Sequence, residues 1–198
     1  AGATGTTTLN VSGTGLLNAG GSAGAASTLG NVTTIKVTET AGLNLSNATV
    51  TNVTSVDTTG TTGTTTITIL GDKATYAGGA GVDNVTIGNA GTAISKSVSL
   101  GGGDDKLTLV GAVATPTANL DGGTGTNTIA MNNASAVDVT KNGNFAAKID
   151  NFQKLEITDK QTTAGTINLA NLDNINYVIS NGSSTATAAA TKTTFTLD

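Results

Sequence analysis

Three glycine-rich turns in the middle of the chain recur at an even step and carry one residue pattern. The first copy is Gly78-Gly79-Ala80-Gly81-Val82-Asp83-Asn84-Val85-Thr86. The second is Leu100-Gly101-Gly102-Gly103-Asp104-Asp105-Lys106-Leu107-Thr108, and the third is Gly122-Gly123-Thr124-Gly125-Thr126-Asn127-Thr128-Ile129-Ala130. They start at positions 78, 100 and 122, so one and the same step separates each copy from the next. All three follow G-G-x-G-x-D-x-U-x, where U is a large aliphatic residue, with two departures: Leu100 replaces the first glycine and Asn127 replaces the third acid. A glycine turn followed at once by a short strand, repeated at a constant step, sets a coil length. It places the turns above one another along one edge.

The rest of the chain reads the same way. Short runs of period two occur at 34–37, 43–45, 53–56, 66–69, 85–87, 97–100, 106–109, 128–131, 136–139, 154–157, 166–169, 177–179 and 194–197. Gly, Asn, Asp, Ser and Thr separate them, and these are turn residues. Helix formers other than Ala are scarce, and no long stretch has helical spacing. Thr accounts for 41 of 198 residues and aromatics for 3%. Branched Thr favours extended backbone on an outer face, while Val, Ile and Leu fill an interior too narrow for large rings. The fold class expected is all-β, a parallel β-solenoid; a β-sandwich, the alternative, would carry longer strands and an aromatic core. At about 22 residues per coil the chain would make roughly nine coils and a rod about 43 Å long. It is read as one elongated domain over 1–198: Thr/Asn-rich coils at 1–76, the repeat region at 77–131 and C-terminal coils at 132–198. The low-complexity segment 181–192 is read as a loop. The N-terminal stretch Ala1 to Asn10 lacks a basic, apolar leader pattern, and the chain is expected to be a piece of a longer protein.

The turn pattern has a chemical reading. Glycines permit positive φ, so a short turn can coil tightly and aim its carbonyl oxygens inward. The sixth position supplies a carboxylate. Calcium takes six to eight oxygens, more than one turn offers, so two stacked turns would share an ion. The expected ligand set is therefore Gly79, Gly81, Asp83, Gly101, Gly103, Asp104, Asp105, Asp121, Gly123, Gly125 and Asn127, through carboxylate, amide and main-chain oxygens. Asp83 with Asp105 forms one site and Asp105 with Asn127 a second, weaker one that has lost a charge. Five of eleven Asp residues fall between 72 and 121. Stacked carboxylates repel without a cation, so the fold of this region should depend on metal. The alternative is that these are plain glycine turns whose Asp residues cap their own loops.

Composition removes other chemistries. The chain has no His, Cys or Trp, and its nine basic residues are all Lys. There is no thiol or imidazole for nucleophilic catalysis or zinc, and no Arg for bidentate phosphate contacts. A formal charge of −4 disfavours nucleic acid. No apolar run is long enough to span a membrane as a helix.

These residues resemble a family. The stretches TYAGGAGVDNVTIG, SVSLGGGDDKLTLVG and ANLDGGTGTNTIAM, followed by Ile149-Asp150-Asn151-Phe152-Gln153-Lys154-Leu155-Glu156-Ile157, resemble the calcium-binding region of RTX-type bacterial S-layer proteins of the Caulobacter and Campylobacter kind. The resemblance implies a right-handed solenoid that binds calcium outside the cell, export by a type I system and assembly with copies of itself into a two-dimensional surface lattice. Contact with cell-surface polysaccharide would run through parts outside this chain. The chain departs from the family in the wide spacing of its turns, in Asn127, and in a C-terminal stretch without a convincing secretion signal.

The expected function is thus a structural, non-enzymatic subunit domain of a cell-surface coat. Surface acids Asp57, Asp138, Asp159 and Asp173 are candidates for calcium bridges between subunits, though each also reads as a solvated turn residue. The alternative is an RTX adhesin or extender segment that binds glycan, for which Tyr76, Tyr177, Phe145, Phe152 and Phe195 are the whole aromatic supply. Phe152 and Phe195 are expected in the core. Lys73 and Lys106 are expected to balance nearby carboxylates rather than act as bases, and Glu39 and Glu156 are isolated.

Overall fold

The computed structural model describes residues 5–20, 29–48, 50–161, 165–172 and 174–182, together with the backbone of 193–196. The expected loop at 181–192 therefore lies mostly outside the described residues, as do Asp173 and the side chain of Phe195. The described chain is a parallel β-solenoid of about seven turns. One face is a seven-stranded sheet of β1 (Thr8–Val11), β3 (Thr34–Glu39), β5 (Ser55–Thr61), β7 (Thr75–Ala77), β9 (Val98–Ser99), β11 (Leu120–Asp121) and β13 (Ile149–Asp150). The other is an eight-stranded sheet of β2 (Leu16–Asn18), β4 (Gly42–Leu45), β6 (Thr65–Ile69), β8 (Asp83–Ile87), β10 (Lys106–Leu109), β12 (Thr128–Met131), β14 (Lys154–Ile157) and β16 (Tyr177–Ser180). Strands therefore alternate between the two faces along the chain. A separate pair joins β15 (Gly165–Asn168) to β17 (Thr193–Thr196).

Period two explains the core. Every second side chain points inward and stacks on its counterpart one coil away. In the seven-stranded sheet Ile35, Val56, Tyr76, Val98, Leu120 and Ile149 form one such column. In the eight-stranded sheet the column is Leu45, Ile67, Val85, Leu107, Ile129 and Leu155. All twelve are buried, and each contributes about 1.5–3 kcal/mol by leaving water. Outward Thr residues also tie coils together: the hydroxyls of Thr33, Thr54 and Thr75 donate to the carbonyls of Thr7, Thr33 and Thr54 at 3.2, 3.2 and 3.4 Å.

Three expectations are corrected. The even step holds around the glycine turns but not throughout. Thr65 pairs with Asp83, a shorter step, and Thr128 with Lys154, a longer one, and the described residues make about seven turns where roughly nine are expected of the whole chain. At about 4.8 Å per strand the eight-stranded sheet is about 34 Å long. Second, 136–139 is not a strand but lies in α1 (Asn133–Val139). The Asn132 side chain accepts from the Ser135 N–H at 2.7 Å and caps it, while Ala136 and Val139, three apart, turn one face to the core. Third, the interior does admit rings: Tyr76, Phe145 and Phe152 are all buried. Phe145 sits in the long coil that carries the chain from Leu120 to its partner Ile149.

Candidate functional site

The three glycine turns join β7 to β8, β9 to β10 and β11 to β12, so they stack at one corner of the solenoid. They stack backbone on backbone. The Gly102 N–H donates to the Gly79 carbonyl at 2.7 Å, and the Thr124 N–H to the Gly101 carbonyl at 2.8 Å. This closeness explains the glycines. A Cβ on Gly125 would lie 1.8 Å from the Gly103 carbonyl oxygen, and one on Gly123 1.9 Å from that of Gly101; both residues also have positive φ, +119° and +76°. Gly81 sits against the Gly63 carbonyl in the same manner, and Gly79 against those of Thr58 and Thr61. The carbonyls of Gly79 and Gly101 thus already serve coil-to-coil hydrogen bonds.

The sixth residue of each turn points into the solenoid. Asp83, Asp105 and Asn127 are all buried, in register one coil apart. From Asp105 onward each side chain of this column accepts from the backbone of the coil before it. Asp105 Oδ1 takes the Asp83 N–H at 2.8 Å, Asn127 Oδ1 takes the Asp105 N–H at 3.0 Å, and Gln153 Oε1 takes the Asn127 N–H at 2.7 Å. Thr65 occupies the same position one coil before Asp83. The result is a polar ladder of buried Thr65, Asp83, Asp105 and Asn127 and half-buried Gln153 beside the apolar core. Thr65 and Gln153 escape a reading of spacing because the steps that lead to them depart from the even one.

The two ends of this ladder differ in satisfaction. The Asn127 amide nitrogen donates to the carbonyls of Gly123 and Asn151 at 3.3 and 3.1 Å. By contrast, Thr65 Oγ1, Asp83 Oδ2 and Asp105 Oδ2 are buried without a hydrogen-bond partner. Burial pushes the Asp83 carboxyl up to about 7. The Tyr76 and Thr65 hydroxyls beside it oppose that rise, and the Asp105 charge adds to it. Asp105 is pushed up to about 6, again chiefly by burial, with the Asp83 N–H opposing and Asp104 adding. Tyr76 is held in its neutral form by burial and by Asp83, and its hydroxyl lies 3.2 Å from Thr58 Oγ1.

The remaining expected ligands lie elsewhere. Asp104 is exposed and accepts from the Thr126 N–H at 2.8 Å. Asp121 accepts from the Gly123 N–H and from Asn151 Nδ2, both at 2.8 Å, and so braces its own turn. Among the described residues no three acidic side chains converge. Lys106 pairs not with the turn acids but with Glu156, two coils away at 2.7 Å, so Glu156 is not isolated. Lys73 donates to the Thr51 carbonyl. Asp57 and Asp138 lie beside Lys36 and Lys141, and Asp159 accepts from the Asn133 N–H.

The chemistry open to the ladder is therefore the binding of a proton or of a hard cation. Three oxygens in consecutive coils lack a partner, and all are of the kind that Ca²⁺ or Mg²⁺ prefers over softer metals. The architecture defines the class, a parallel β-solenoid with a buried polar ladder at one corner. No protein-family model, curated protein or solved structure matches the chain.

Proposed function

We propose that this chain is a calcium-stabilised structural domain of an extracellular bacterial coat, a right-handed solenoid that assembles with copies of itself. The row of unpartnered buried oxygens on Thr65, Asp83 and Asp105 carries this reading. A buried carboxylate without a partner is costly, and a divalent cation would neutralise both Asp83 and Asp105 where a proton neutralises one group at a time. Asp83 and Asp105 would hold the ion, with Thr65 as a neutral donor. The Asn127 oxygen already accepts the Asp105 N–H and carries no charge, which favours the Asp83 side for the principal site. Right-handed winding is the ordinary hand of parallel crossovers. The affinity expected of an extracellular module is about 10⁻⁴–10⁻³ M.

The role is structural rather than catalytic. Lys106, the basic residue adjoining Asp105, is held by Glu156. Export by a type I system and anchoring to polysaccharide through other parts of the protein go with the coat reading. A second reading, an adhesin or extender segment that binds glycan, draws on one observation. A groove of about 350 Å³ on the seven-stranded face is lined by Ser97, Ser99, Asn119, Asp121, Lys148 and Asp150, and such hydroxyl, amide and charged groups suit a sugar. Of the aromatics whose side chains are described, Tyr177 is exposed while Tyr76, Phe145 and Phe152 are buried, which among the described residues leaves a glycan little to stack on.

Calcium titration at pH 7, followed by thermal melting and light scattering with magnesium and EGTA controls, tests the proposal. A higher melting temperature together with reversible assembly supports the coat. A higher melting temperature in a chain that stays monomeric keeps the metal site and favours the adhesin or spacer. No response to calcium overturns both the metal site and the coat.

A further inference from the structure

The two ends of the eight-stranded sheet share a property that its middle lacks. Residues 1–35 and 174–191 contain no charged side chain, whereas the strands between carry Asp83, Lys106, Lys154 and Glu156. Among the described residues the outermost strands of this sheet are β2 and β16, which have neither Lys nor Pro, the residues that usually protect an edge from pairing. Both expose apolar surface: Leu16 is 60% exposed, Leu17 37% and Tyr177 58%. Leu17 belongs to the inward row, in register with buried Leu43, and Val178 continues the same face from buried Leu155. Ser180, in register with buried Ile157, is exposed.

We infer that the molecule associates head to tail, β2 of one copy adding to β16 of another as a further parallel strand. Polarity favours this pairing over its alternatives. Every strand in the sheet runs the same way, so translation of a second copy along the axis brings β2 to β16 in the parallel sense that the sheet already uses. A twofold pairing of β2 with β2 would be antiparallel and would reverse that sense. The register that the sheet itself continues sets Asn18 beside Tyr177; a slip of two residues, which also keeps inward side chains inward, sets Leu16 beside Tyr177 and Leu17 beside Val178, so that the exposed apolar side chains cover each other without burying a charge. A head-to-tail contact does not close on itself and yields an open row of molecules. The inference deepens the self-assembly part of the proposed function and rests on that part, not on calcium.

The test uses two lysine variants, Leu17→Lys at one end and Ser180→Lys at the other, with Leu16→Lys as a second choice on the more exposed site. Light scattering after size-exclusion chromatography reads mass as a function of concentration, and a thermal melt checks each fold. The expected result is growth of wild type beyond a dimer with rising concentration, a single-chain mass for each variant alone, and about twice that mass for an equimolar mixture, because each variant keeps one free end. Recovery on mixing also shows that both variants are folded. Wild type that stays at one chain's mass overturns this inference and the coat reading together. Wild type that assembles while the variants assemble equally overturns this inference alone. A variant that dimerises by itself points to twofold pairing and also overturns it.

Discussion

The two halves of the polar ladder occupy the same corner, on the same backbone, and differ only in side-chain chemistry. Asn127 and Gln153 supply the oxygen that the preceding coil's N–H requires, and the Asn127 nitrogen finds two carbonyls of its own. Asp83 and Asp105 also fill the stack, and Asp105 supplies the same acceptor, yet each is left with one buried oxygen that takes no hydrogen bond, although the Tyr76 and Thr65 hydroxyls lie beside the Asp83 carboxyl. An amide in this slot is complete within the protein. A carboxylate is complete only with a proton or a cation. The acidic half is therefore where the solenoid responds to its surroundings, and the amide half is where it does not.

The largest test of that contrast is pH. In EGTA, stability should fall as pH rises from about 4 to 7. Asp83 and Asp105 have folded-state values raised to about 7 and about 6 from 3.8, so the folded chain binds protons more tightly than the unfolded one. Their contribution is complete below about pH 4 and is lost as pH passes through 6 and 7. At about 1.36 kcal/mol per unit, Asp83 alone accounts for roughly 4 kcal/mol. Urea melts across this range measure it, and a metal-free profile that is flat or rises with pH would break the comparison. Millimolar calcium should remove most of the loss.

Converting the amide half into the acidic kind comes next. Asn127→Asp replaces a donor that serves Gly123 and Asn151 with a buried charge. It should cost about 3 kcal/mol at pH 7 in EGTA and less at pH 4. Equal loss at both values would mean that geometry rather than charge matters there. The reverse exchange, Asp83→Asn, removes a buried charge that has no cation beside it and should raise metal-free stability at pH 7 by about 2 kcal/mol. It should also weaken the response to calcium; thermal melts with and without the ion read both effects. The smallest effect is expected outside the ladder. Glu156→Gln removes a partly exposed ion pair with Lys106 and should cost under about 1 kcal/mol, with the calcium response unchanged.

Much of the architecture could be read from residue order because inward aliphatics alternate cleanly in β3, β6, β8, β10 and β14. Strands as short as β7, β11 and β13 cannot show alternation. Helix α1 has the same composition as its surroundings, and its signal was a cap at Asn132 rather than a period. At the site, the spacing of the turns located Asp83, Asp105 and Asn127 in one column. It did not find Thr65, Gln153 or Tyr76, because coil length varies on either side and because a tyrosine in a strand does not announce which way it faces. Nor did it show that the glycines serve close stacking of main chain, which depends on carbonyls contributed by the neighbouring coil.

The ladder also has a direction. The buried N–H groups of Asp83, Asp105 and Asn127 take their acceptors from residues 22, 22 and 26 positions later in the chain. A segment emerging N-terminus first, as during synthesis, cannot complete any of these coils until the following one has appeared. These side-chain acceptors bind each coil to the one after it, and a chain cut just before Asp105 would keep the Asp83 strand paired with the Thr65 strand but leave the Asp83 N–H without its acceptor.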